Sequence, residues 1–465
     1  MLKPKEHVHF IGIGGYGMSA IARVLLEMGY RVTGSDVAEN KLIQRLAALG
    51  AEIHIGHQAV LVEGADRVVY SSSIPEENVE LKAAREKGMP VFHRSQMLAN
   101  LLNDKKGIAV AGAHGKTTTS SMIAQTMEES GADPTYVIGG EVVSLGSNAK
   151  AGASPYVVAE ADESDGTFLE YEPQIAVVTN IESDHLENYD GSFENLKDAY
   201  RQFLSQVKPD GVAVLGWDDP YLKEIAQESD ARIITYALDT EADYIATDIR
   251  QVLNRIQFTV RHHGTSLGEV TIHIPGRHNV ANALAAVVVC LEAGLTFEQA
   301  VDGLSRFQGA KRRFQVIGEV DEIMVVDDYA HHPTEIISTL NGLKALDRRI
   351  LAVFQPQRFS RTHLLMDEFS RAFAEADELV LTDIYSPPGE PPIEGVTSGR
   401  LAQMVKKNSN PNTVYRASKE EVETYLLNHA RPGDLVITMG AGDIWRVAHN
   451  LVPALKARQK EKSKG

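Results

Sequence analysis

The chain has 465 residues, which exceeds the size of a single hydrophobic core, so two to four domains are expected. Hydrophobic residues make up 43% and charged residues 23% of the chain, as in ordinary globular proteins. The net charge of −17 argues against nonspecific nucleic-acid binding. An anionic substrate would have to be bound by local arginines, lysines and helix ends.

No apolar run approaches the roughly 20 residues of a membrane span. The chain starts with a short polar segment that leads at once into a strand, so no signal segment is expected. The only cysteine, Cys290, stands in an apolar helical stretch, which favours a packing thiol over a nucleophile. These features indicate a cytoplasmic protein.

The first predicted element is a strand that runs into the turn Gly12-x-Gly14-x-x-Gly17, followed by an amphipathic helix and a strand ending at Asp36. This is the βαβ fingerprint in which a helix N-terminus takes a diphosphate and an acidic residue contacts a ribose. The same glycines serve NAD, FAD and other diphosphates, and a tight turn without a ligand is the alternative. Two further strands are predicted near 66–70 and 89–94.

A second phosphate site is predicted in the stretch 107–119, GIAVAGAHGKTTT, where an apolar strand enters a glycine loop that opens a helix. Gly112 and Gly115 leave room for backbone N–H groups to face phosphate oxygens, and Lys116 adds a positive charge. Thr117 can offer its hydroxyl to a magnesium ion. This G-x-x-G-K-T loop is shorter than the standard pattern, and a plain glycine turn is the alternative; we interpret it as a nucleoside triphosphate site.

Polar side chains follow the next two predicted strands. Glu160 ends the first strand, and His185 follows the second. Ligands in open α/β sheets bind beyond the carboxyl ends of strands, so Glu160, His185 and Thr117 are expected to converge as a Mg²⁺ or Mn²⁺ site. A solvated carboxylate and an ordinary loop histidine are the alternatives. Three further carboxylates, Asp162, Glu163 and Asp165, are interpreted as residues that only solvate the loop.

Asn279 and Asn282 stand three residues apart at the start of a predicted helix and therefore share one face. Two amides on one face suit recognition of a base edge, with a helix N-cap as the alternative for Asn279. Beyond a basic hinge near 309–314, alternating strands and helices predict a third, Rossmann-like domain. Its arginines at 313, 358 and 361 are candidates for binding phosphate or carboxylate, and a solvated surface is the alternative.

The order of these motifs resembles the Mur ligases, and the resemblance runs from about residue 8 to about residue 450. The segments that carry it are GIGGYGMS, GAHGKTTT, EADESD, TNIESDH, GRHNVANA, RRF, DDYAHHPTE and FQPQRFSRT.

The resemblance implies an α/β protein of three domains: a Rossmann-like domain for a UDP-sugar at 1–105, a central P-loop ATPase-type parallel sheet at 106–309, and a Rossmann-like domain at 310–465 that closes on the site. For the UDP-sugar it implies Gly14, Gly15, Gly17, Asp36 and Ser71.

For ATP the resemblance implies contacts with Gly112, Ala113, His114, Gly115, Lys116, Thr117, Thr118, Asn279, Asn282, Arg313 and Asp328. For the metal it implies Thr117, Glu160 and His185, and for the amino-acid side Tyr329, His331, Arg358 and Arg361. Lys116, Glu160, His185, Arg313 and His331 form the implied catalytic set, with His331 as a guess for the general base.

The implied activity is ATP-dependent addition of L-alanine to the lactyl carboxylate of UDP-N-acetylmuramate through an acyl phosphate, the first amino-acid addition in peptidoglycan precursor synthesis. Some relatives carry a carbamylated lysine where this chain has Phe203, which fits the alanine-adding branch and leaves a second metal open. A ligase that attaches a recycled murein peptide is the nearest alternative. A nicotinamide-dependent oxidoreductase and a nucleotide-binding regulator are others, and the oligomeric state, including a homodimer, stays open.

Overall fold

The computed structural model describes residues 5–184, 186–252, 255–344, 346–386 and 390–462, and these residues form three sheets flanked by helices. They belong to two compact units. The first unit holds the first sheet and most of the second, and the other holds the third. The predicted α/β fold of three domains is confirmed, while the domain boundaries at 105/106 and 309/310 stay predictions.

The first sheet alternates strictly with helices. Its elements are β1 His7–Ile11, α1 Tyr16–Glu27, β2 Arg31–Asp36, α2 Lys41–Ala48, β3 Glu52–Ile55, β4 Arg67–Tyr70, α3 Val79–Glu86, β5 Val91–His93 and α4 Arg94–Asn103. The strands are parallel in the order β3-β2-β1-β4-β5. The order reverses between β1 and β4, and such a switch point opens a crevice at the carboxyl ends of the strands.

The second sheet is the largest among the described residues. Its elements are β6 Lys106–Ala111, α5 Lys116–Glu129, β7 Thr135–Val142, β8 Ser147–Lys150, β9 Tyr156–Glu160, β10 Ile175–Val178, α6 Phe193–Ser205, β11 Val212–Gly216, α7 Pro220–Ala226, β12 Ile233–Ala237, β13 Tyr244–Val252, β14 Arg255–His262, β15 Thr265–Ile272, α8 Arg277–Glu292 and α9 Phe297–Ser305. The strand order is β15-β14-β13-β12-β11-β10-β6-β9-β7-β8.

Three neighbouring strands of this sheet, β10, β6 and β9, are parallel. Their register pairs Val178 with Ala111 and Val110 with Glu160, so all three end at the same edge. The phosphate loop, Glu160 and the segment after β10 therefore leave the sheet side by side.

The third sheet also has helices on both faces. Its elements are β16 Gln315–Val320, β17 Ile323–Asp328, α10 Pro333–Lys344, β18 Ile350–Phe354, α11 Phe359–Leu364, α12 Met366–Arg371, β19 Glu378–Leu381, α13 Ser398–Asn408, β20 Thr413–Tyr415, α14 Lys419–His429, β21 Leu435–Met439 and α15 Trp445–Lys462. The strand order is β16-β17-β21-β18-β19-β20, and only β16 is antiparallel to its neighbour.

Successive side chains of the strands in the third sheet point to opposite faces and pack into two hydrophobic cores. Val326 and Phe354 pack with helices α10, α12 and α13, while Val325 and Val353 pack with α14 and α15 on the opposite face. In the first unit Cys290 is fully buried in α8, and burial raises the pKa of its thiol to about 12, as a packing role requires. None of the helices in the described ranges is long and apolar enough to cross a membrane.

Helix α1 joins the first sheet to the second. Arg23 Nη1 donates to Ser147 Oγ of β8 at 2.5 Å, and the backbone N–H of Ala151 donates to Glu27 Oε2 at 2.8 Å. These bonds attach α1, the helix that follows the first glycine turn, to the β7–β8 hairpin.

A buried polar network stabilises the first sheet. The carboxylate of Glu80, on α3, is fully buried and accepts hydrogen bonds from His9 Nε2 at 2.9 Å, Ser35 Oγ at 2.7 Å and the backbone N–H of Gln58 at 3.0 Å. Burial by itself would raise the pKa of Glu80, but these hydrogen bonds outweigh it and lower the pKa below its ordinary value.

We expect Glu80→Gln to destabilise the fold by about 1–3 kcal/mol at neutral pH, because the amide leaves a buried donor without an acceptor. Since the folded pKa is lowered, the stabilisation by Glu80 is complete above the ordinary carboxyl pKa and is lost as the pH falls through the folded value. Denaturant unfolding between pH 7 and pH 3 measures both effects. The exposed Glu86→Gln on the same helix is the control, and equal stability of the two variants at pH 7 would contradict the role of Glu80.

Candidate active site

The phosphate loop follows β6 as predicted, and its two glycines adopt backbone conformations that other residues avoid. Gly112 has φ 125° and Gly115, which precedes α5, has φ 89°. A Cβ atom on Gly112 would lie 2.1 Å from Thr179 Oγ1, and one on Gly115 would lie 2.5 Å from Asn282 Oδ1. The loop therefore packs tightly against neighbouring segments.

The segment after β10 fixes the loop backbone. The N–H groups of Ala113 and His114 donate to the backbone O and side-chain Oδ1 of Asn180, at 3.1 and 2.9 Å. Thr179 Oγ1 donates to the carbonyl of His114 at 2.5 Å. The N–H groups of Ala113 and His114 are thus used within the protein, and the contacts of these two residues with ATP stay predictions. The first turn of α5, which includes Thr117 and Thr118, keeps N–H groups without intrahelical acceptors and stays the candidate phosphate cradle.

Lys116 forms a partly buried ion pair with Glu163. Its Nζ lies 2.9 and 2.8 Å from the two carboxylate oxygens, and it also donates to the carbonyl of Gly112 at 2.7 Å. Burial alone would lower the pKa of Lys116, but the carboxylates of Glu163, Asp162 and Glu160 raise it above its ordinary value, so the amine is charged at neutral pH. Glu163 is only 3% exposed, so the interpretation that it solvates the loop is wrong.

Glu160 lies directly beside the start of α5. Thr117 Oγ1 donates to its Oε2 at 3.1 Å, and the backbone N–H of Gly139 donates to its Oε1 at 2.6 Å. Carboxylate and hydroxyl oxygens are hard ligands of the kind that Mg²⁺ and Mn²⁺ prefer, so Glu160 and Thr117 fit the expected metal. The predicted ligand His185 lies outside the described residues. Phe203, at the position of the carbamylated lysine, is fully buried against Phe168.

The two asparagines of α8 have different environments. The side chain of Asn282 is buried against the phosphate loop, where its Oδ1 accepts from Thr119 Oγ1 at 3.2 Å. Asn279 is the third residue of α8, and its Nδ2 donates to the carbonyl of Pro275 at 2.6 Å. The N-cap alternative for Asn279 is wrong, because Asn279 lies inside α8 and an N-cap residue precedes the first helical residue. The contact with adenine stays a prediction for both residues.

The glycine turn after β1 lies at the switch point of the first sheet. The N–H of Gly14 donates to Asp36 Oδ2 at 2.8 Å. One carboxylate oxygen of Asp36, the residue predicted to contact the ribose, therefore already orders the turn. Gly15 precedes α1, and a Cβ on Gly12 would lie 3.9 Å from Ser71 Oγ, across the crevice between β1 and β4.

A basic residue that sequence reasoning missed lies beside this turn. A Cβ on Gly17 would lie 3.2 Å from Nη1 of Arg94, the first residue of α4. Because α4 is adjacent to the glycine turn only in the folded sheet, its distance in sequence conceals the contact.

In the third sheet, the residues after β17 form a compact cluster. The guanidinium groups of Arg312 and Arg313 lie 4.9 and 5.1 Å from the ring centre of Tyr329. His331 Nδ1 donates to the carbonyl of Tyr329 at 3.0 Å, which leaves Nε2 as the acceptor. Burial lowers the pKa of His331 to about 4, so its imidazole is neutral at pH 7.

Asp328 and Arg312 organise this cluster. Asp328 is buried and accepts from the N–H groups of Phe314 and Ala330, both at 2.7 Å, and burial raises its pKa. Arg312 donates to Asp327 Oδ2 at 3.1 Å and to the glycine loop after β21.

The arginines after β18 extend the same edge of the third sheet. Arg358 has a positive φ of 67°, is exposed, and its N–H donates to the carbonyl of Tyr385 at 2.9 Å. Arg361 follows on α11, and its charge helps to lower the pKa of His331. The four residues predicted for the amino-acid side, at 329, 331, 358 and 361, therefore all follow the carboxyl ends of β17 and β18.

Fold and site together fit an α/β enzyme of the nucleotide-binding class, with the loop after β6 as its candidate phosphate loop. Three family models match the chain in order: "Mur ligase family, catalytic domain" at residues 7–106, "Mur ligase middle domain" at 110–290, and "Mur ligase, glutamate ligase domain" at 312–442. The chain belongs to the Mur ligase family and is an ATP-dependent ligase.

Curated relatives and solved structures agree with this assignment. A UDP-N-acetylmuramate–L-alanine ligase from Symbiobacterium thermophilum is 52% identical over 98% of this chain and 96% of its own length. One of the same name from Pelotomaculum thermopropionicum is 49% identical over 98% and 99%. The crystal structure of a UDP-N-acetylmuramate-alanine ligase from Thermotoga maritima matches with a TM-score of 0.80 at 28% identity, covering 97% of this chain and 99% of that one.

Proposed function

We propose that the protein joins L-alanine to the lactyl carboxylate of UDP-N-acetylmuramate with cleavage of ATP to ADP and phosphate. The observation that carries this proposal is the phosphate loop beside Glu160, at the ends of three neighbouring strands. The chain is also 52% identical to a relative named UDP-N-acetylmuramate–L-alanine ligase. The reaction is the first amino-acid addition to a peptidoglycan precursor, and we place it in the cytoplasm.

The first step activates the carboxylate. The lactyl carboxylate attacks the γ-phosphorus of ATP, the bond to the β,γ-bridging oxygen breaks, and an acyl phosphate and ADP form. Lys116, the first turn of α5 and Asn282 would bind the nucleotide, because they lie around one loop. A bound Mg²⁺ or Mn²⁺, held by Thr117, Glu160 and the undescribed His185, would neutralise charge on the phosphoryl oxygens.

The second step forms the amide. The amine of alanine attacks the acyl carbon, a tetrahedral intermediate forms, and phosphate leaves with the bonding electrons. Fixed cations would supply much of the rate by positioning and electrostatics. His331 is neutral at pH 7, so its Nε2 can accept a proton, but a pKa of about 4 makes it a weak base.

The remaining residues bind the two substrates. The turn at Gly14, Gly15 and Gly17, with Asp36 and Ser71, is proposed for the UDP-sugar because it opens at the switch point of the first sheet. Arg313 and Asp328 are proposed for ATP, and Tyr329, His331, Arg358 and Arg361 for alanine and the reacting carboxylate.

A murein-peptide ligase is the second candidate, because a crystal structure of a murein peptide ligase from Psychrobacter arcticus has a TM-score of 0.68 at 25% identity, covering 97% of this chain and 98% of that one. Its similarity is lower than that of the alanine ligase structure.

Phosphate release by the purified protein with ATP, Mg²⁺ and UDP-N-acetylmuramate tests the proposal, with L-alanine, with a murein tripeptide, or with neither. We expect release that requires both the sugar nucleotide and L-alanine. Release that requires the tripeptide would favour the second candidate. No release with either acceptor would contradict both.

A further inference from the structure

The ammonium group of Lys116 has its hydrogen-bonding capacity used within the protein. It offers three donors, and the structure directs them to both oxygens of Glu163 and to the carbonyl of Gly112. The carbonyl oxygen of Ala113 lies 3.4 Å from the same Nζ. A phosphate oxygen can reach this group only if one of these acceptors gives way.

Glu163 is fixed from several sides. It begins a 3₁₀ turn, Glu163–Asp165, whose N-cap Asp162 accepts from the N–H of Ser164 at 3.1 Å. The carbonyl of Glu163 accepts from the hydroxyl of Tyr189 and from the N–H of Gly166. These bonds fix the backbone of Glu163, so the ion pair opens by rotation of a side chain and not by movement of the turn.

The local charge opposes a bare nucleotide. The carboxylates of Glu160, Asp162 and Glu163 all act on the single ammonium of Lys116. A triphosphate that drew Lys116 away would leave the buried Glu163 without its cation and beside further negative charge. Like charges a few ångströms apart repel more strongly in a partly buried site than in water, because the effective dielectric constant there is lower.

We propose that Glu163 is a positioning residue that occupies Lys116 in place of a phosphate and thereby makes nucleotide binding depend on a divalent cation. In the absence of nucleotide the carboxylate fixes the lysine next to the loop. When the nucleotide arrives with its cation, the added positive charge compensates Glu163 while Lys116 transfers to phosphate. The inference rests on the proposed function only in taking the loop as the ATP site.

Calorimetric titration of ATP in EDTA and in Mg²⁺ tests this on the wild-type protein and on Glu163→Gln. For the wild type we expect Mg²⁺ to tighten ATP binding by at least about tenfold. Glu163→Gln is expected to bind metal-free ATP at least about tenfold more tightly than the wild type does. The increase in ATP affinity caused by Mg²⁺ should therefore be smaller in this variant. The exposed Glu170→Gln, in the neighbouring 3₁₀ turn, should match the wild type in both buffers.

Glu163→Asp keeps the negative charge, so its ATP affinity is expected to depend on Mg²⁺ as that of the wild type does. This variant therefore separates the effect of charge from the effect of altering the side chain. A folded Glu163→Gln protein that binds metal-free ATP no better than the wild type would overturn the inference. Equal affinity of the wild type for ATP with and without Mg²⁺ would overturn it even if that variant did not fold. Since these are binding measurements, failure to ligate L-alanine would refute the proposed function without touching this result.

Discussion

Lys116→Ala is expected to lower turnover by at least roughly 10²–10³-fold, because a fixed charge next to the transferred phosphoryl group is lost. The ammonium of the partly buried Lys116 lies 2.8 Å from the buried carboxylate of Glu163, so removal of Lys116 also leaves that carboxylate without its cation. That loss is expected to cost about 3–5 kcal/mol of folding free energy. Phosphate release at saturating substrates and a denaturant melt measure the two effects.

The double variant Lys116→Ala with Glu163→Gln distinguishes them. It removes both members of the ion pair, so it should regain much of the folding free energy that Lys116→Ala alone loses. It should nevertheless remain inactive. If a folded Lys116→Ala protein turned over at the wild-type rate, the loop at Gly112 and Gly115 would not be the catalytic nucleotide site.

Glu160→Gln is expected to lower turnover by roughly 10²–10³-fold and to raise the Mg²⁺ concentration needed for half-maximal rate. The amide keeps the size of the side chain but loses the charge that faces Thr117. Its one oxygen can accept only one of the hydrogen bonds from Gly139 and Thr117, and the NH₂ group leaves the other donor without an acceptor. Initial rates over a Mg²⁺ titration give both quantities. Glu170→Gln, an exposed carboxylate on the same connection, is the control, and unchanged rate and metal dependence in Glu160→Gln would remove it from the metal site.

The large elements of the fold were predictable from sequence because they repeat simple patterns. Apolar strands entering glycine turns predicted β1 and β6, and strand ends with polar residues predicted β9 and β10. The sequence pattern missed β3 and β20, which have four and three residues and expose much of their surface, so neither carries a clear alternation.

The site was predictable as a set of motifs but not as a set of contacts. The loop at Lys116 and the carboxylate at Glu160 follow from residue type and spacing. The ion pair with Glu163 does not, because the two residues are 47 positions apart and a run of carboxylates is usually solvated. The bonds of Ala113 and His114 to Asn180 were also missed, since a sequence does not show which backbone donors are already used.

The attachment of helix α1 to the β7–β8 hairpin has a consequence for how the molecule melts. Because the bonds from Arg23 and Glu27 fall within one compact unit, the first two sheets should lose their structure in a single cooperative transition rather than as separate blocks. Differential scanning calorimetry would then record one heat-absorption peak for both sheets. Their glycine turns would persist or disappear together as the temperature rises.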